Sequence, residues 1–404
     1  MLHSLKCSCK NKVKMKTGTS EVGISEIAGV IPEWSIKAEK MAKDQQLPLE
    51  YVNGGLGLIR ARIPYNTPLE ELIIKALQKI HYQDVDRFIL ATESDNDLSK
   101  AIIAIKAINK GLNITKVPFQ LKFACLAGVQ ALLLACEYSI AHKKPAIVIV
   151  ADRSLYGDDK AQVTQGSAVI AIRIENNPEL LTLQFRGCGQ YAEDIEDFRV
   201  PVRTAPFPEI NGPLTKPAYI KCMIQSVKDY KIKNQKSGLI TDEIDYFVMH
   251  TPFPKMVVWA SAALWRYERN KNKEFLPLLE QCLHNPDLFK RFKQFLDETR
   301  KLPEFQKFFK QKVEPGLRYN LYIGNCYNAS IFISLISVLE QIQKGQHLCI
   351  IGYGSGSGSL TMMGQAIKSG FRSDLNYQIK NGKELSVAQY QEWRAETVKK
   401  VRGD

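Results

Sequence analysis

Residues 125–154 read CLAGVQALLLACEYSIAHKKPAIVIVADRS and residues 326–355 read CYNASIFISLISVLEQIQKGQHLCIIGYGS; the two lie over each other at an offset of 201 without a gap. Each begins with a cysteine (Cys125, Cys326), runs through an apolar helical pattern, meets a lysine (Lys143, Lys344) and closes on a continuous apolar strand. Only five of thirty positions are identical, and the apolar positions of the two helices are out of step by a residue or two. What repeats is the order of strand, cysteine-headed helix and strand. A second pair upstream, 84–93 and 243–250, superposes at an offset of 159 on Asp86/Asp245 and Phe88/Phe247, so the second half carries about 42 extra residues. Apolar strands alternating with helices predict an α/β fold whose sheets are mostly parallel and covered on both faces. Two such halves face to face bring their loops into one shared cleft.

Outward from this repeat, the chain divides into a basic leader (1–20), a first half (21–176), a second half (177–373) with an insertion at about 260–318, and a polar C-terminal appendix (374–404). Val22 to Ile31 reads as the first strand and Trp34 to Asp44 as a helix. Asn53-Gly-Gly-Leu-Gly57 is a loop without the strand and third glycine of a dinucleotide site. Thr67-Pro-Leu-Glu70 starts a helix with proline in its first turn. Further helix is predicted over 98–110, and strands over 117–123, 146–152, 167–172, 180–185, 245–249 and 348–352. The half-boundary falls at the turn Glu175-Asn-Asn-Pro178, and 186–238 is a long excursion holding Asp197, Lys216 and Tyr219.

At 404 residues with 45% hydrophobic content, the chain has enough apolar sequence for a large core or two fused ones, which argues against disorder. The best apolar run, Ala124 to Ala135, is too short to span a membrane and fits a buried helix. Nine cysteines, an odd number, sit mostly inside apolar segments with no secretory signal ahead of them. That predicts a reducing, cytoplasmic setting without a disulfide framework. Cys7 and Cys9 lack companions at metal spacing, so no metal site is expected. The net charge of +13 is concentrated in the lysine-rich leader and in 266–312, which mixes many basic residues with acids. No aromatic-interleaved basic strand or zinc module suggests nucleic-acid binding. The leader is basic and acid-free, but its lysines, glycine and threonine suit a mobile tail better than an arginine-rich presequence.

Cys125, between an apolar strand and an apolar helix, is placed where helix-terminal amides lower a thiol pKa and hold an oxyanion. Most cysteines at helix starts are small core residues, so its company decides the matter. His250 closes the equivalent strand of the second half, and Asn325 precedes Cys326, the counterpart of Cys125. Together these form a Cys/His/Asn set suited to acyl transfer. Glu93 ends the strand whose counterpart ends at His250, where partial desolvation tunes a carboxylate as acid or base.

Several short runs carry a specific resemblance: Ala91-Thr-Glu-Ser94, Lys122-Phe-Ala-Cys-Leu-Ala-Gly128, Thr164-Gln-Gly166, His250-Thr-Pro-Phe-Pro-Lys-Met256, Gly324-Asn-Cys-Tyr-Asn-Ala-Ser330 and Gly352-Tyr-Gly-Ser-Gly356. In order over roughly 22–395, ending at Leu385-Ser-Val-Ala-Gln-Tyr390, they resemble the 3-hydroxy-3-methylglutaryl-coenzyme A synthase family of the thiolase superfamily. The resemblance implies the duplicated five-layer αβαβα thiolase-like fold, no cofactor beyond coenzyme A thioester substrates, and a homodimer.

By the family's pattern Cys125 takes an acetyl group from acetyl-coenzyme A and Glu93 removes a proton from its methyl. The resulting carbanion equivalent attacks the ketone of acetoacetyl-coenzyme A, polarised by His250, and water releases the product. Asn325 is implied to bond a thioester oxygen, and Ser355 and Gly354 to line the acyl pocket. Asp152, Tyr156 and Tyr327 are implied to border the site, and Lys255 and Lys216 to contact the coenzyme's pantetheine or phosphates. Two positions depart from the pattern. Phe123 stands where many relatives carry an acid, although archaeal-like members share the phenylalanine. Asp197-Phe-Arg-Val-Pro201 replaces Asp-Phe-Trp-Arg-Pro, which puts that part of the pocket wall in question.

Three other readings stay open on sequence. A β-branching synthase of polyketide assembly takes its acetyl group from an acidic acyl carrier protein, which a basic surface suits. A type III ketoacyl synthase shares Cys, His and Asn but lacks Glu93 and the His-x-Pro-Phe segment. A catalytically silent protein would use the basic insertion to bind an acidic partner.

Overall fold

A computed structural model describes residues 21–95, 97–157, 159–269 and 275–402. The basic leader, Cys7 and Cys9 lie outside the described residues. The first half contributes strands β1 (Val22–Val30), β2 (Arg87–Ala91), β3 (Phe119–Leu121), β4 (Ala146–Arg153) and β5 (Ser167–Asn176). The second contributes β6 (Leu181–Ala192), β7 (Tyr246–Met249), β8 (His347–Gly354) and β9 (Gly358–Ala366). Among the described residues these form one nine-stranded run in the order β7-β8-β9-β6-β1-β5-β4-β2-β3. Read outward from the β1/β6 junction, each half repeats the same order, with β3 as the extra edge of the first. The two halves touch there through Gly23↔Thr182 and Ile24↔Leu181. A Cβ on Gly23 would stand 2.0 Å from the carbonyl oxygen of Leu181, so only glycine permits this approach.

Alternation along each strand sorts the side chains into layers. Ile89 and Ala91 of β2, Val148 and Val150 of β4, and Leu348 and Ile350 of β8 share a central cluster with helices α2 (Ala127–His142) and α6 (Ala329–Leu339). Phe88, Leu90, Ile147 and Ile149 face the other way, against α1 (Leu69–Leu77). Phe247, Met249, Cys349 and Ile351 pack on α3 (Gly212–Lys233) and α4 (Pro254–Arg269). The result is the five-layer αβαβα arrangement. Every residue of α6 is buried, as a middle-layer helix requires. At the α2/α6 contact the Gly128 N–H donates to Asn328 Oδ1 at 2.8 Å, and a Cβ on Gly128 would meet the Phe332 ring at 2.7 Å.

The same central position accounts for the apolarity of 124–142. That helix is, by length and composition, long and apolar enough to cross a membrane, contrary to the sequence estimate, but 56% of its apolar window is buried inside the fold.

The sheet is mixed rather than mostly parallel. Pairs β2–β3, β2–β4 and β7–β8 are parallel, while β4–β5, β1–β5, β8–β9 and β6–β9 are antiparallel. The last strand of each half returns antiparallel to its neighbour, through the tight turn 355–357 in the second half and through the longer segment 154–166, with its helical turn, in the first.

Trp34–Lys37 is a strand, not the start of the predicted helix, because it pairs with Arg60–Ile63 and Lys383–Glu384; only Ala38–Asp44 is helical. In the region 98–110 an α-helical turn begins at Ile102 and runs on as a wider turn over 106–111. The 186–238 excursion is mostly the end of β6 and the long helix α3. The polar appendix folds back as a helix, α7 (Val387–Arg402). Its Tyr390 and Trp393 join Ile36, Met41 and Val163 in a fourth apolar cluster, and Gln165 Nε2 donates to Tyr390 Oη at 2.6 Å.

Candidate active site

Cys125 sits in the turn that feeds α2, after Ala124 at φ +41°, and is buried. It shares a small cluster with Tyr156 and Tyr327, whose rings meet edge to face at 6.1 Å. Glu93, at the end of β2, brings its carboxyl beside the Cys125 thiol, close enough for each to shift the other's proton affinity. The expectation of a depressed thiol pKa fails: burial foremost, then the Glu93 carboxylate, pushes the Cys125 thiol well above its ordinary value. Burial beside an anion outweighs the helix terminus two residues on.

Glu93 is itself pushed up to about 8, by burial first and by the Asp152 charge second. Its Oε1 is shut off from solvent with no hydrogen-bond partner. That leaves a carboxyl poised to exchange a proton near neutral pH.

Asp152, at the end of β4, is fully buried and lies off the cavity wall, so it does not border the substrate space directly. Its Oδ1 accepts from Glu93 N at 2.7 Å, Ser94 Oγ at 2.8 Å and Thr92 Oγ1 at 3.0 Å. Its Oδ2 accepts from Asn328 Nδ2 at 3.0 Å and Asn328 N at 3.1 Å. Burial raises its pKa to about 6 despite these donors. The carboxylate thus holds the Thr92–Ser94 turn against the start of α6, and Asn328 passes the link to Gly128 on α2. Asn328 stands inside the Gly324–Ser330 run but was given no role from sequence; nothing local marks a residue whose partners are 176 and 200 positions away.

His250 ends β7, its N–H donating to Ile351 O at 3.0 Å and its carbonyl accepting from Tyr219 Oη at 2.7 Å. Its ring is buried, Nδ1 has no partner, and burial lowers its pKa to about 3. It is a neutral imidazole at physiological pH, suited to donating a hydrogen bond to a carbonyl oxygen. Asn325 is pinned by its own amide: Oδ1 accepts from Tyr327 N at 3.0 Å and Ser330 Oγ at 3.2 Å, while Nδ2 donates to Tyr156 Oη at 2.9 Å. An amide nitrogen carries two hydrogens, so one remains for a ligand.

Cys125, His250, Asn325, Tyr156, Tyr327 and Ser355 all line one cavity of about 1270 Å³. Lys216 and Lys255 line it farther along, with Lys216 Nζ 5.8 Å from the centre of the Trp259 ring. Gly354 does not line it. A Cβ there would meet Phe123 O at 2.6 Å and Leu126 N at 2.9 Å, so its role is to let β8 abut the Cys125 turn. Phe123 packs its ring end against Gly358, which fills the place of the missing acid with apolar contact. In the other departing segment Phe198 lines the cavity and stacks edge-on against Tyr327, whereas Arg199 pairs with Glu209 and Val200 is exposed. The changed residues therefore lie off the wall. Asp197 holds the Gly-Ser turn, accepting from Tyr353 Oη and Gly356 N, each at 2.9 Å.

Sequence reasoning missed one whole wall. Helix α5 (Phe289–Lys301), inside the insertion, brings Lys290, Lys293, Asp297, Arg300 and Lys301 to the cavity. Their helical spacing was the available signal. Among the described residues no group of three or more potential metal ligands occurs.

The family model described as hydroxymethylglutaryl-coenzyme A synthase C terminal matches residues 181–394, more than half of the chain. A hydroxymethylglutaryl-CoA synthase of Enterococcus faecalis is 25% identical over 394 residues, covering 93% of this chain and 92% of that protein. The crystal structure of an HMG-CoA synthase complexed with CoA superposes with a TM-score of 0.74 at 24% identity, over 92% of this chain and 90% of the other. The curacin-pathway HMG synthase in complex with apo donor-ACP superposes with a TM-score of 0.78 at 20% identity, over 94% and 89%. Both superpositions carry the fold. With the matched family model spanning more than half of its length, the chain belongs to the hydroxymethylglutaryl-coenzyme A synthase family of acyl-transferring condensing enzymes.

Proposed function

We propose that this enzyme condenses acetyl-CoA with acetoacetyl-CoA to give 3-hydroxy-3-methylglutaryl-CoA, in the mevalonate route to isoprenoids. The observation that carries the reading is the convergence of Cys125, His250 and Asn325 on one cavity, with the Glu93 carboxyl beside Cys125 behind it. The Cys125 sulfur attacks the acetyl carbonyl while its proton passes to Glu93. The carbon–sulfur bond to the coenzyme breaks, and free CoA leaves with the proton. Ionised Glu93 then takes a proton from the acetyl methyl, and the carbanion equivalent adds to the acetoacetyl ketone. The neutral His250 N–H bonds the ketone oxygen as it gains charge, and the second Asn325 amide hydrogen bonds a thioester oxygen. The resulting alkoxide takes up the proton that Glu93 removed, which restores the ionised base. Water finally cleaves the bond to Cys125, giving the product carboxylate and the free thiol.

Acetyl-CoA rather than a carrier protein as donor is favoured by Lys216 and Lys255 on the cavity wall. The likeness to the curacin-pathway synthase supports the carrier-protein reading as the second one. A homodimer is supported by the open edge at β3, where Val117 is 81% exposed and Phe119 49%. A cytoplasmic setting is supported by the seven described cysteines, all buried and unbridged.

Intact-mass spectrometry after mixing with acetyl-CoA, with Cys125→Ala as control, tests the chemistry. An acetyl adduct on Cys125 that discharges on adding acetoacetyl-CoA is the expected result. An adduct only from an acetylated carrier protein moves the reading to polyketide β-branching, and none from either donor overturns the enzyme assignment. Sedimentation at micromolar concentration, comparing wild type with Phe119→Asp, tests the dimer.

A further inference from the structure

Helix α7, at the end of the polar appendix, lands on the loop that cradles Asn325. That loop joins β4 to β5 and holds the Asn325 backbone by both of its polar groups. Asn325 N donates to Thr164 O at 2.7 Å, and Ser154 Oγ donates to Asn325 O at 2.7 Å. The side chain is held by the same loop, since Asn325 Nδ2 donates to Tyr156 Oη at 2.9 Å. The direction of the remaining amide hydrogen is therefore set by where Tyr156 and Thr164 stand.

Tyr156 is in turn gripped from behind. Its carbonyl oxygen accepts from Arg394 Nη2 at 2.8 Å, and its N–H donates to Gln165 Oε1 at 3.4 Å. Gln165, fully buried, donates from Nε2 to Tyr390 Oη at 2.6 Å. Tyr390 and Arg394 are four residues apart on α7, so one face of a single helix reaches both peptide groups of Tyr156, one directly and one through Gln165. The Arg394 guanidinium also lies over the Phe207 ring, 5.1 Å from its centre. Apolar packing lands in the same place: Leu155 and Val163, the chain neighbours of Tyr156 and Thr164, share a cluster with Tyr390 and Trp393. Apolar contact alone docks a helix. Donors aimed at the peptide of one pocket residue add a defined position, because a hydrogen bond is directional where burial is not. No residue of α7 lines the cavity, so whatever α7 does there passes through this loop.

We propose that α7 is a positioning element for the reaction: Arg394 and Tyr390 hold Tyr156, and through it they orient the remaining amide hydrogen of Asn325 toward the acyl oxygen. This rests on the acyl-transfer reading given above. It gives the C-terminal appendix a part in the chemistry that none of its residues performs by contact with substrate.

Steady-state kinetics of Arg394→Met and Arg394→Lys test this, each preparation normalised to the fraction of Cys125 that acetyl-CoA acetylates, read by intact mass. Normalisation removes misfolded protein from the rate. Methionine keeps the apolar reach of the arginine stem without the donor, and lysine keeps a donor. We expect Arg394→Met to lower kcat about tenfold with KM moving less than about threefold, and Arg394→Lys to recover part of that loss. Because Arg394 acts through Asn325, its effect should vanish once that amide is gone: in an Asn325→Ala background, Arg394→Met should change kcat by less than about twofold. Gln391→Ala, which removes a contact of the same helix with Asp44, should keep the wild-type kcat. A normalised kcat for Arg394→Met within about twofold of wild type would overturn the proposal, and so would a tenfold loss that persists undiminished in Asn325→Ala. If the methionine variant does not fold, Arg394→Lys is judged by the same comparison, with a loss of about threefold expected in wild type and none in Asn325→Ala. Absence of any acetyl adduct on wild-type Cys125 is the separate result that sinks the underlying reading.

Discussion

The side-chain amide of Asn328 donates to the Asp152 carboxylate at 3.0 Å across 176 residues of chain, and the other face of the same amide accepts the Gly128 N–H at 2.8 Å. One buried carboxylate and one buried amide therefore lock together the turn of Glu93, the helix of Cys125 and the second half of the chain. The proposed catalytic groups stand at the ends of β2 and β7 and ahead of α2 and α6, and this link ties three of those four elements, β2, α2 and α6, together.

Replacing Asp152 with alanine removes the acceptor of Glu93 N, Asn328 N and Asn328 Nδ2, each costing about 1–3 kcal/mol when left unsatisfied, while the Thr92 and Ser94 hydroxyls keep Ala151 O and Arg153 O as acceptors. Asp152→Asn keeps the size but turns one oxygen into a donor facing donors. We expect thermal melting to show the alanine variant as the less stable. For the asparagine variant we expect kcat to fall by about 10²-fold with KM moving less than about threefold, because the residue positions Glu93 without touching substrate.

The pH profile should report Glu93. With its pKa at about 8, the base form grows as pH rises, so the condensation rate climbs between pH 6 and 8 and levels off above. Glu93→Gln should be lower by about 10²–10⁴-fold and flat over that range. The same shift acts on stability. A carboxyl raised from 4.5 to about 8 in the folded state stabilises fully below pH 4.5, and this contribution is lost as pH rises through 8. The melting temperature of Glu93→Gln should therefore fall less than that of wild type between pH 5 and 8.

His250 gives the opposite signature. Burial holds its folded pKa at about 3, so no histidine inflection should enter the rate between pH 5 and 7. Its folded state binds fewer protons than the unfolded chain between pH 3 and 6.5, so this residue costs stability as pH falls below 6.5. His250→Ala should retain acetylation of Cys125 and lose about 10²–10³-fold in the condensation step. Single-turnover kinetics that follow the two steps separately check this.

Gly128→Ala tests the α2/α6 contact. The new methyl meets the Phe332 ring at 2.7 Å, and overpacking of this kind costs about 1–3 kcal/mol. Phe332→Leu in the same chain should restore part of the loss, a coupling that denaturant melts of the four variants measure.

Much of the fold was legible because burial writes a period into sequence. The apolar strands 146–150 and 348–351 and the cysteine-headed helices each carry their layer in their own pattern. The pattern failed where pairing is non-local: Trp34–Lys37 looks helical alone and becomes a strand only because Arg60–Ile63 and Lys383–Glu384 lie beside it. Parallel against antiparallel is likewise a matter of how the chain returns. At the site, Cys125, His250 and Asn325 could be named from their places at element ends. The sense of the thiol shift could not, because helix terminus and burial pull in opposite directions, and only packing reveals which dominates.

By itself, then, the sequence determined the duplicated α/β plan, the family, and the identities of the groups at the ends of the repeated strands, since these follow from local order and residue type. The tertiary structure alone decided that Asp152 and Asn328 join the halves, that Gly354 buttresses the Cys125 turn, and that the basic stripe of 289–301 faces the cavity. Those are contacts between residues far apart in the chain, set by how layers stack, and no local period records which distant surface a helix will meet.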